Sequence, residues 1–167
     1  MRSLRFFIFL VAALATTALL PAASVAAGPQ GANGGGRGYV GGEPFSQFGF
    51  GVTKHADGRV EGHFNCLMAG ATAFEMGDTG WKLMAVRGQV TSAVIGETTA
   101  TFSGVGVLIE HLEGTNEHRN NPQAFQVVVT ESRPGVPGTL QLTLFPTPGI
   151  AFVLPPEQVL DGRITIG

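Results

Sequence analysis

A chain of 167 residues with a formal net charge of −2, 13% charged residues and one cysteine has the length of one domain with a sizeable core. Its mild acidity argues against nucleic acid, which selects basic faces, and a lone thiol excludes an intramolecular disulfide. Charge is about half the usual quarter of residues and glycine, at 25 residues, about twice its average share, which points to short strands joined by tight turns.

Residues 1–27 read as an export signal. Arg2 and Arg5 form a charged head, Phe6 to Leu20 is apolar apart from Thr16 and Thr17, and Ser24-Val25-Ala26-Ala27 offers small residues to a signal peptidase. The expected mature chain starts at Ala27 or Gly28. The competing reading is a membrane anchor, because about 20 apolar residues cross a bilayer. Pro21 and the small residues after it favour cleavage, and no cysteine lies at the junction to carry a lipid. No other segment is long and apolar enough to span, so the sequence predicts a secreted or periplasmic protein with no membrane span after signal cleavage. The signal holds two of the 10 basic residues and none of the 12 acidic ones, which leaves a mature charge of about −4.

Residues 28–42, with the run Gly34-Gly35-Gly36, read as a flexible glycine-rich lead in which Tyr39-Val40 docks at most as a short first strand. Residues 43–167 read as a single all-β domain. Phe48, Phe50 and Val52 alternate with Gly49, Gly51 and Thr53 up to a hairpin turn at Ala56-Asp57-Gly58. From Arg59 to Met68, Val60, Phe64, Cys66 and Met68 share one face while Arg59, Glu61, His63 and Asn65 share the other. Met84 to Ile95 runs out, Gly96-Glu97 turns, and Thr98 to Ile109 returns. A polar loop over His111 to Pro122 follows. Phe125, Val127 and Val129 mark a further strand, Arg133 to Gly138 a proline-glycine turn, and Leu140, Leu142 and Leu144 the next strand. Ile150 to Leu154 and Leu160 to Ile166 bring the total to about eight.

No stretch carries a capped helical stripe; Ala69 to Met76 is the nearest, weakened by Gly70 and Gly77. Short turns favour antiparallel neighbours, since parallel pairing needs long crossovers. The fold class is all-β: an antiparallel meander closed as a small barrel, with a two-layer sandwich as the alternative. Glycines inside strands (Gly49, Gly51, Gly62, Gly88, Gly104, Gly106) favour the barrel, because tightly coiled strands use glycine at bends and close approaches.

Several segments in this order carry a family resemblance. They are Phe48-Gly49-Phe50, Asp57-Gly58-Arg59-Val60-Glu61-Gly62, Val86 to Ser92, Ala100-Thr101-Phe102-Ser103-Gly104, Phe125 to Glu131, Leu140-Gln141-Leu142 and Leu160 to Ile166. Together they resemble the post-choice-of-anchor domains of bacterial secreted proteins. The resemblance implies a secreted all-β module without an established activity, so it carries no functional residues over. The loop His111 to Pro122 and Phe145-Pro146-Thr147-Pro148 depart from it.

No catalytic, cofactor-binding or metal-binding residue is assigned. Phe102-Ser103-Gly104 lacks the first glycine of a nucleophile elbow and lies in a strand, and Gly34 to Gly36 has no following Lys-Ser/Thr for a phosphate loop. His63 and Cys66, three apart on a strand, point to opposite faces and cannot share an ion without a bulge. The segment Glu110 to His118 gathers carboxylates and imidazoles, a composition that solubility alone also explains. Glu75 and Asp78 near Trp81 read as a solvated turn rather than a hydrolase pair. Trp81 reads as a rim or core residue rather than a sugar platform, and Cys66 as a small buried hydrophobe rather than a reactive thiol.

Two functions are consistent with this. One is a non-catalytic secreted module that acts through its surface on a protein or envelope component. The other is a barrel that holds an apolar small molecule in its lumen, as a carrier or a cyclase-like protein. The state of the interior separates them, because small eight-stranded barrels are either filled by side chains or hold one ligand.

Overall fold

The computed structural model describes residues 28–69, 81–112 and 118–167. They form nine strands: β1 (Gln30–Val40), β2 (Glu43–Lys54), β3 (Val60–Ala69), β4 (Trp81–Ile95), β5 (Thr99–Leu112), β6 (His118–Thr130), β7 (Gly138–Thr147), β8 (Ile150–Val153) and β9 (Glu157–Ile166). Every pairing is antiparallel. The order β6-β5-β4-β3-β2-β1-β9-β7 closes on itself through β6 and β7, giving an eight-stranded barrel with β8 as one extra strand.

The last three strands are not a simple meander. β8 lies along the C-terminal half of β7, with Val153 opposite Thr143. β9 then takes the N-terminal half, with Glu157 opposite Leu140 and Val159 opposite Gly138. Pro155 and Pro156 stand between them, and proline has no N–H to donate to a ladder. The chain leaves the edge there and rejoins it further along, which frees β9 to reach β1 and close the barrel.

Period-two alternation accounts for the core. Phe48, Phe50 and Val52 of β2, Phe64, Cys66 and Met68 of β3, Phe125, Val127 and Val129 of β6 and Leu140, Leu142 and Leu144 of β7 are all buried. Their phenyl rings, with that of Phe102 from β5, form a connected set. Phe50 meets Phe102 at 5.1 Å between centroids, Phe102 meets Phe64 at 6.0 Å, and Phe64 meets Phe125 at 5.3 Å. Rings of this size dominate core energetics, and here they occupy the middle of the barrel. Phe125 has room because Gly88 and Gly104 lie beneath it: a Cβ at those positions would come within 2.5 and 2.6 Å of its ring.

Several expectations are corrected. Residues 30–40 are not a flexible lead. They form β1, paired along its length with β2 and over most of it with β9, because two neighbouring ladders supply the order that its side chains do not. Phe45, near the start of β2, belongs to the core, 5% exposed. The segment His111 to Pro122 is strand wherever it is described: β5 and β6 stay paired as far as His111 opposite His118. The last strand starts at Glu157, three residues before Leu160. The strand glycines divide in two. Gly62, Gly88, Gly104 and Gly106 are close approaches as expected, whereas at Gly49 and Gly51 the nearest neighbours stand 3.9 and 3.5 Å from where a Cβ would sit. The signal segment 1–27 and residues 70–76 of the helix candidate lie outside the described residues.

Candidate functional site

The residues singled out in the sequence are mostly kept apart. His63 and Cys66 lie on opposite faces of β3, with Cys66 buried in the core. Ser103 sits in β5, where its hydroxyl accepts from Gln126 Nε2 at 3.4 Å. Glu110 accepts from Asn121 Nδ2 at 3.2 Å, and the backbone register sets His111 opposite His118. Glu75, Asp78 and residues 113–117 lie outside the described residues, as does the side chain of Trp81. Among the described residues, no group of three or more His, Cys, Asp or Glu side chains is arranged to hold a metal ion, and no helix is long and apolar enough to cross a membrane.

Two features emerge that the sequence does not mark. The first is a buried carboxyl. Glu157 is the first residue of β9, points inward and is 0% exposed. Its Oε2 accepts a hydrogen bond from the Ser46 hydroxyl, while Oε1 is buried without a partner. The side chain occupies the space that a residue larger than glycine would fill at position 38. Burial pushes its carboxyl up to about 7, against a lowering pull from the Ser46 hydrogen bond. Burial, with the Glu157 charge adding to it, pushes the Cys66 thiol up to about 12. A thiol so reluctant to ionise is a poor nucleophile, and Ser46, Cys66 and Glu157 lie together as a buried cluster.

The second feature is on the outside of the barrel, across β9, β1, β2, β3 and β4. Register aligns Arg163, Gly35, Gly49, Asn65 and Arg87 in one row. The adjacent row runs Asp161, Arg37, Gln47, Leu67. Above these lies an open groove of about 490 Å³ lined by Arg37, Gln47, Asn65, Leu67 and Arg87 among others. A second groove of about 160 Å³ shares Arg37, Gln47 and Leu67 and continues past Ser46 to Ala69. At about 4.8 Å per strand, Arg163 and Arg87 are roughly 19 Å apart along the sheet.

The charges on this face are available. Arg59 is held by Asp57 at 3.9 Å and by Glu61, and Arg133 by Glu131 at 3.6 Å. Among the described residues, Arg37, Arg87 and Arg163 form no ion pair within salt-bridge distance. The carboxylate in the two rows, Asp161, accepts from the Tyr39 hydroxyl at 2.9 Å. That hydrogen bond, with burial and the Asp161 charge, raises the phenol's pKa, while nearby Arg37 lowers it.

Comparison with protein families, curated proteins and solved structures gives no match.

Proposed function

We propose that this protein is a secreted, non-catalytic β-barrel module of the bacterial envelope or extracellular space that acts through its outer surface. The observation that carries this reading is the filled interior: Phe64, Phe102 and Phe125, each 1% exposed, stand where a carrier or cyclase-like barrel needs a lumen. Among the described residues, side chains take up the middle of the barrel, which supports this reading over the alternative, an apolar ligand held inside. The resemblance to post-choice-of-anchor domains and the signal-like residues 1–27 support the same placement.

Fractionation of the host, with N-terminal sequencing of the recovered protein, tests it. The expected result is a chain starting at Ala27 or Gly28 in the periplasm, the envelope fraction or the medium. An uncleaved chain in the cytoplasm contradicts it.

A further inference from the structure

The barrel presents one face whose composition differs from the rest of a sparsely charged, net acidic chain. Of three arginines that no acid holds among the described residues, Arg37 and Arg87 line a groove whose walls carry the amides of Gln47 and Asn65, and Arg163 stands in the same cross-strand row as Asn65 and Arg87. Guanidinium forks match carboxylates in bidentate geometry, and side-chain amides both donate to and accept from hydroxyls. The groove is open and long rather than enclosed, which fits an extended polymer better than a small molecule.

The sheet surface beside the groove is consistent with that occupant. Gly35 and Gly49 face each other between Arg163 and Asn65, and Gly51 lies further along β2 on the same face. Each has room for a methyl group, with no neighbour closer than 3.4 Å to that position, and none has a positive φ. Glycine inside a strand is unfavourable by roughly 0.5–1 kcal/mol relative to alanine, so neither packing nor backbone geometry asks for it here. A strand glycine without a packing reason marks a bend of the barrel or a surface that something approaches closely. Bases stack on aromatic platforms, and the aromatic side chains that line the two grooves, Phe48 and Phe45, are each only 5% exposed, so a nucleic acid is the poorer fit.

We propose that the outer face of β9, β1, β2, β3 and β4 is a docking surface for an acidic polysaccharide, whose carboxylates pair with Arg37, Arg87 and Arg163 while its sugar rings lie over Gly35 and Gly49 between them. This rests on the surface-acting reading above and names the partner class for it.

The test is affinity electrophoresis or calorimetry of the protein purified from its own host. The probes are polygalacturonate, its fully methyl-esterified form and polyphosphate, at low salt. Polygalacturonate is expected to bind, and the ester and polyphosphate at least tenfold more weakly. Each of Arg37→Gln and Arg87→Gln should weaken binding roughly tenfold or more, the size of one charge-assisted contact. Arg133→Gln, outside the groove and already ion-paired, should leave it unchanged. Gly49→Thr should weaken binding without lowering the melting temperature, a separation that a purely structural glycine would not give. No binding of polygalacturonate, equal binding of the ester or of polyphosphate, or full binding by the Arg37→Gln/Arg87→Gln double variant would overturn the inference. If any of these occurs with a correctly exported, ligand-free protein, the inference fails and the surface-acting reading stands; a small molecule retained inside the barrel is what removes that reading.

Discussion

Ser46 and Glu157, 111 residues apart in the chain, meet inside the barrel, where the serine hydroxyl donates to a carboxyl that solvent does not reach. β2 contributes one partner and β9 the other, and β1 lies between them, so the contact forms only when all three strands are in place.

Stability should therefore fall as pH rises toward neutrality. The folded-state pKa of Glu157, about 7, lies above the value of about 4.3 for an exposed glutamate. Its contribution is fully present below about pH 4.3, where both states are protonated, and is lost as pH rises through 7. The change is about 4 kcal/mol at most, by linkage. Urea unfolding from pH 4.5 to 8 checks this against Glu157→Gln, which cannot ionise. The variant is expected to lose this slope and to be the more stable protein at pH 8; an unchanged slope would clear Glu157 of the effect.

Gly38 and Glu157 should be energetically coupled. A Cβ at position 38 would overlap the Glu157 side chain, so Gly38→Ala is expected to cost about 1–3 kcal/mol, the usual range for overpacking. In the Glu157→Ala background most of that cost should vanish, and a double-mutant cycle on denaturation midpoints reads the coupling. Additive costs would mean that Gly38 is needed for its backbone alone.

Inner and outer glycines should respond in opposite ways to the same methyl group. Gly104→Ala drives a Cβ against the Phe125 ring and the backbone of Gln89, for an expected cost of about 1–3 kcal/mol. Gly49→Ala meets no crowded neighbour and is expected to be neutral or stabilising by up to about 1 kcal/mol. Thermal melts of the two variants decide it.

Cys66 should be silent toward thiol reagents. It is 0% exposed and its pKa is pushed up to about 12, so at pH 8 the native protein is expected to show almost no labelling, and one thiol on unfolding. Rapid native labelling would mean that the end of the barrel holding Ser46 and Glu157 opens readily.

The barrel is legible in the sequence wherever hydrophobic period and strand phase coincide. Phe48-Phe50-Val52, Phe64-Cys66-Met68 and Leu140-Leu142-Leu144 each announce an inward face. β1 is not legible because five of its eleven residues are glycine, and its order comes from the partners on both sides rather than from its own pattern. Glu157 escapes notice for a related reason. It is in phase with Val159, but taking Leu160 as the strand's start reverses the faces; the ladder with β1 shifts register beside this point, and Leu160 is 52% exposed. The arginine face has no sequence signal. Arg37, Arg87 and Arg163 are distant in the chain, and only the register of five strands brings them onto one surface.

A native mass spectrum of the protein recovered from its own host bears most directly on whether it works through its surface. A mass equal to the polypeptide from Ala27 or Gly28, with nothing bound, is the expected result for a barrel filled by its own side chains. A retained apolar molecule, released only on unfolding, would contradict it and return the function to the interior.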